Sequence, residues 1–184
     1  MPRQVFDYER PDRFVVGTVG APGERVFYLQ AVEGARTTSV IVEKEQTVIL
    51  AERLDALLIE MARRGVADIP DSYVASDLDL DPLTAPVVDE FRAGTLAIGW
   101  NGNSDLVIVE AHAQTDGDED VPDLNEDSDE GPDVLRVRMT PAAARAFAER
   151  ARRVASAGRP PCPFCLEPLD PRGHICPRAN GYRR

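Results

Sequence analysis

Hydrophobic positions change period several times along the chain, and the changes divide it into elements. RFVVGTVG (13–20) and RVFYLQAVE (25–33) are β-branched and aromatic runs that read as strands. Between them Pro22-Gly23 supplies a preset φ and a residue tolerant of positive φ, which predicts a hairpin. TTSVIVE (37–43) is a third strand after the short turn GAR. The period then lengthens. In EQTVILAERLDALLIEMARRG, Ala51, Leu54, Leu58 and Met61 recur every three or four residues, a helix face, and Gly65 marks its stop. Residues 68–90 read as a connector. The order of elements then recurs: strands over 91–100 and 105–112 around Asn101-Gly102, a strand over 134–139, and a helix from Thr140 as N-cap with Pro141 at its first position.

This recurrence suggests a duplicated βββα unit, the first copy over about 13–65 and the second over about 91–156. Gly17-Thr18 is laid over Gly94-Thr95, and Thr47, Ala51 and Leu54 over Thr140, Ala144 and Phe147. The fold class expected is α+β, with mostly antiparallel sheet and two helices covering it. Strands such as Val107-Ile108-Val109 are apolar on both parities, so a well-covered sheet or a sheet-to-sheet contact is expected.

Charge changes the picture in two places. The net charge is −11, but it is uneven. Ten acids and no bases fall between Asp116 and Asp133, so about 114–133 reads as a disordered acidic insertion in the second repeat. Residues 159–184 instead carry five Arg against Glu167 and Asp170. Core (1–158) and tail (159–184) are therefore distinct.

The tail holds every cysteine. Cys162 and Cys165 form C-x-x-C, and His174 and Cys176 form H-x-C. Three Cys and one His are a ligand set for tetrahedral Zn²⁺. Pro161 and Pro163 stiffen the first turn, and N–H groups within it can point at sulfur. A segment this short has no core of its own, so metal binding would supply its folding energy. The reading is a structural zinc knuckle. Other readings are a redox pair, unbound thiols and a catalytic zinc. Against the first, Pro168 and Pro171 follow too soon for the helix that a redox C-x-x-C opens. Against the last, all four positions are filled by protein.

Other candidate chemistry is thin. Asp77, Asp79 and Asp81 begin like an EF-hand loop, but Pro82 and Val88 stand where Gly and Glu are required, so these acids are assigned to turns and caps. Glu110 and His112 share one strand face and read as solvent-side residues, and Trp100 reads as packing. No catalytic residue is nominated. No apolar stretch is long enough to span a bilayer, and the N-terminus lacks a signal-peptide pattern, so a cytoplasmic location without membrane association is expected.

The stretches DRFVVGTVGAPGERVFYLQA, EFRAGTLAIGW and MTPAAARAFAERARRVASAGRPPCPFCLEPLDPRGHICPR together resemble an uncharacterised actinobacterial family, a domain of unknown function. The resemblance implies a cytosolic bacterial protein in which the zinc tail is a family feature. It implies no activity. The functional expectation is a non-enzymatic binding or adaptor protein with a protein partner. The alternatives are a small-ligand enzyme with its site between the repeats, near Gly17, Thr18, Gly94 and Thr95, and a nucleic-acid-associated protein using the basic tail.

Overall fold

In the computed structural model the described residues are 3–66, 68–115, 117, 122–124, 126, 128–158, 161–166, 169, 174, 176 and 178. Seven strands and two α-helices are described: β1 (Val5–Tyr8), β2 (Arg13–Val19), β3 (Val26–Glu33), β4 (Arg36–Val42), α1 (Lys44–Arg63), β5 (Asp89–Asn101), β6 (Leu106–Ala113), β7 (Val134–Met139) and α2 (Pro141–Ser156). A single 3-10 turn, Ala75–Asp77, interrupts the connector after α1.

Local signals set most boundaries. Gly23 has φ +97°, and Glu24 donates its N–H to Ala21 at 2.9 Å, the type II turn that Pro-Gly favours. Gly65 has φ +81° and donates to Ala62, closing the end of α1. The Thr140 hydroxyl accepts from Ala143 at 3.2 Å with Pro141 at the first helical position, as the sequence predicts. Glu43 caps α1 through a reciprocal capping box with Gln46, so Thr47 lies one turn inside the helix.

The strands form one mixed sheet in the order β1-β7-β6-β5-β4-β3-β2. Four neighbour pairs are antiparallel; β1–β7 and β4–β5 are parallel. The molecule is thus α+β. Edge strand β1 falls in a stretch read as a polar N-terminus, although Val5, Phe6 and Tyr8 carry a weak strand pattern. The sheet is strongly curved. β1 and β4 are four places apart, roughly 19 Å in a flat sheet. Yet the Tyr8 hydroxyl donates to Thr38 at 2.8 Å, and the Arg36 guanidinium lies 3.9 Å from the Tyr8 ring centre.

One parity of the sheet faces the helices. Val16, Leu29, Val40, Val107, Val109 and Val137 pack there against Leu50, Leu54 and Leu58 of α1 and Phe147 and Ala151 of α2. Phe14 stacks on Phe147 with centroids 4.8 Å apart. Trp100 packs against this core, as its packing assignment requires. The opposite parity is covered too, but by irregular chain. The connector lays Leu83 over Gly17, where a Cβ would stand 2.6 Å from it. Leu124, from the acidic segment, lies over Gly99, where a Cβ would come within 2.1 Å of Leu124 Cδ2.

The acidic segment lies partly outside the described residues (116, 118–121, 125 and 127). The described part is fastened. Arg3 Nε donates to Pro132 O at 3.0 Å, Arg136 Nη2 to Glu126 O at 2.7 Å, and the Gln4 N–H to Asp133 at 2.7 Å.

Candidate functional site

The tail brings its four predicted ligands together. The donor atoms of Cys162, Cys165, His174 and Cys176 all lie within 4.8 Å of one another, so the group can hold a metal ion. Cys162 and Cys176 are buried. Their sulfurs are 3.8 Å apart, far beyond the roughly 2.05 Å of a disulfide. Four ligands at about 2.3 Å in a tetrahedron set sulfur–sulfur edges of ~3.8 Å, so the spacing matches a shared metal. Cys165 Sγ and His174 Nε2 stand 3.2 Å apart.

The turn explains how one short loop delivers two thiolates. Leu166 donates its N–H to Cys162 O at 2.9 Å and has φ +65°, which folds the loop back. The N–H groups of Cys165 and Phe164 then point at the Cys162 sulfur, and with neighbouring thiols they pull its pKa down to about 6. A thiolate at neutral pH is the form a metal requires.

The same fold-back turns apolar side chains outward: Phe164 is 62% exposed and Leu166 is 74% exposed. Arg178 Nη1 reaches Phe164 O at 3.4 Å, tying the second half of the tail to this turn.

Glu110 and His112 are not solvent-side as expected. Both are fully buried, because the connector and the acidic segment cover the second face of the sheet. Glu110 takes Nε of Arg136 at 2.5 Å on one oxygen and faces His112 Nε2 at 3.0 Å with the other. His112 Nδ1 is buried without a partner among the described residues. Arg136, itself fully buried, was missed by the sequence reading; the signal was a charge at the centre of an apolar strand, VLRVRM.

Arg150 was missed as well. It sits on the edge of β2, donating Nε to Val16 O at 2.7 Å, Nη2 to Asp81 O at 2.7 Å, and Nη1 to Asp79 Oδ1 at 3.0 Å. Burial lowers its pKa, and Asp79 opposes that shift. Arg13 also grips Asp79, through Nε at 2.5 Å, and that hydrogen bond holds the Asp79 carboxyl below the usual range. The Asp77–Asp81 run therefore serves as turn and clasp, pinning the connector over an otherwise open strand edge.

Concave surfaces lie beside the helices, one of about 290 Å³ between α1 and α2. A cleft of about 610 Å³ is bounded by the β1–β2 loop, the start of β2, the end of β7 and the first turns of α2. A smaller groove of about 310 Å³ lies between α1 and β5. Gly94 and Thr95 line that groove; Gly17 and Thr18 line neither, so the four positions named for a ligand site between the halves do not converge.

Fold and tail together define a class: a curved mixed α+β sheet with two helices, followed by a Cys/His cluster able to bind metal. The chain belongs to a family described as a protein of unknown function (DUF3090), whose model matches residues 6–176 and so includes all four cluster residues. No curated protein and no solved structure matches the chain. No helix among the described residues is long and apolar enough to cross a membrane.

Proposed function

We propose that this protein is a non-enzymatic binding protein, an adaptor, whose tail folds about a structural Zn²⁺ and docks on a protein partner. One observation carries the reading: a turn clasped by four metal-ligating side chains presents Phe164 and Leu166 to solvent. Large exposed apolar residues held on a rigid turn suit a hydrophobic protein pocket. Zinc is the metal proposed because Cys₃His is its structural ligand set, with every position filled by protein. The three cysteines are free, which accords with a reducing cytoplasm.

The core reading is of a duplicated unit, and strand register supports it. Phe14, Val16 and Gly17 oppose Ala31, Leu29 and Tyr28; Leu96, Ile98 and Gly99 oppose Ala111, Val109 and Ile108 in the same way. Gln30 opposes Ser39 as Glu110 opposes Arg136. In the helices, buried Thr47, Leu50, Ala51, Leu54 and Leu58 take the places of Ala144, Phe147, Ala148, Ala151 and Ala155. The correspondence differs from the one read in the sequence. Gly17 answers Gly99 rather than Gly94, and Glu43 rather than Thr47 answers Thr140.

The test of function combines metal analysis with partner capture. Purified protein is expected to hold one zinc per chain. A Phe164→Ser/Leu166→Ser variant keeps the zinc but loses partners that the intact protein retains from native cells. Zinc-free protein, or a variant that captures the same partners as fully, refutes the reading.

A further inference from the structure

We propose that the 610 Å³ cleft beside α2 binds a small zwitterion with an apolar body, of the amino-acid or short-peptide class. Its volume lies within the range of small-molecule sites. It also lies where the two halves of the core meet: β2 and its preceding loop form one wall, and β7 and α2 the other. The floor is apolar, made by the stacked Phe14 and Phe147 with Met139 and Leu106.

The charges around that floor choose the ligand. Arg13 and Arg150 reach the cleft and share Asp79, and Arg138 is held by Asp7 at 2.5 Å. Asp79 is shared by two of these arginines, so the group leaves one positive charge, which Asp12 of the same lining offsets. The remaining charges are of both signs. Arg10 is exposed and has no ion-pair partner among the described residues. Glu9 and Asp77 are exposed acids of the same lining. In all, the lining has as many carboxylates as guanidinium groups. A nucleotide or another polyanion finds no positive excess there, and a polycation no negative one. A ligand with one group of each sign and an apolar body between them satisfies Arg10, an acid and the aromatic floor at once. The hydroxyls of Ser104 and Thr140 add polar partners at the rim.

The site is independent of the metal centre. The test is calorimetric titration of the full chain with the dipeptide Phe-Leu, its N-acetyl form, its C-terminal amide and the doubly blocked form. The free dipeptide is expected to bind, and each blocked end to weaken binding by about tenfold or more. Arg10→Ala matches the loss seen for the amide. Ala143→Phe fills the cleft from an exposed helical position and abolishes binding at an unchanged melting temperature. Removing zinc with a chelator leaves binding intact. Absence of heat with Phe-Leu at millimolar concentration overturns the proposal. So does equal binding of the doubly blocked peptide, or Ala143→Phe binding as wild type does.

Discussion

Replacing Glu110 by Gln removes the carboxylate that accepts from Arg136 Nε at 2.5 Å, in a guanidinium buried beneath the acidic segment whose Nη1 lies 3.9 Å from the partly exposed Asp7. The Arg136 and Glu110 side chains are 1% and 0% exposed, so water cannot screen the loss. At an effective dielectric of about 20, unit charges ~4 Å apart attract by about 4 kcal/mol. Breaking a buried pair from one side costs about 3–5 kcal/mol for the same reason. That is a third or more of a typical domain's ~5–15 kcal/mol. Arg136→Met keeps the aliphatic bulk, drops the charge and strands Glu110, so it belongs in the same range. The double variant strands neither charge. It resembles the Gln30–Ser39 pair, which occupies the matching register in the first half as a neutral hydrogen bond of 3.1 Å. With the double variant no less stable than the worse single one, the expected coupling between the two substitutions is at least the cost of the milder single, about 3 kcal/mol or more. Urea unfolding followed by circular dichroism measures all four corners of the cycle. Either of two results refutes the argument: a Glu110→Gln cost below about 1 kcal/mol, or a double-variant cost equal to the sum of the singles.

Other consequences are testable separately. Gly99→Ala drives a methyl into Leu124 and should release that residue at a cost of ~1.5–3 kcal/mol, seen as faster proteolysis within 114–133; unchanged cleavage would show that Leu124 is not seated there. Thr140→Ala removes the cap on α2 and should cost about 1 kcal/mol in thermal unfolding, whereas no change in melting would assign the cap no energetic role. Because the Cys162 thiol is depressed to about 6, it is charged at neutral pH, and its contribution is lost as pH falls through that value. Release of a metal loaded on the cluster, followed with a chromogenic chelator, should accordingly reach its midpoint at or below pH about 6, and a midpoint near pH 8 contradicts the N–H···S turn. Asp79, held low by Arg13, stabilises the connector above the ordinary carboxylate range and loses that contribution as pH falls through its depressed value. Protease sensitivity of 68–88 should rise only in that acid range; a rise already at pH 6 counts against the clasp.

The four side chains that could hold a metal were legible by sequence position because metal-binding chemistry is local. C-x-x-C and H-x-C lie within one loop, and proline and a tight turn decide their approach. Helix α2 and the Pro22-Gly23 turn were legible for the same reason, because a cap and a positive-φ glycine act over four residues, whereas the β5–β6 turn takes its positive φ at Asp105 rather than at Gly102. Periodicity also identified the inward face of α1, since burial follows the 3.6-residue repeat whatever lies opposite. Tertiary structure alone decided what covers the second face of the sheet. Glu110 and His112 alternate as surface residues do, and only the connector and acidic segment folding over them make them interior. The roles of Arg136 and Arg150 likewise depend on partners far along the chain, Glu110 and Glu126 for one, Val16 and Asp79 for the other. Strand register sets Gly17 beside Gly99 where the dipeptide match sets it beside Gly94, for a related reason. Matching dipeptides such as Gly-Thr are short enough to recur anywhere, whereas strand register is set by hydrogen bonding between strands and side-chain packing across the sheet, which the linear sequence does not contain.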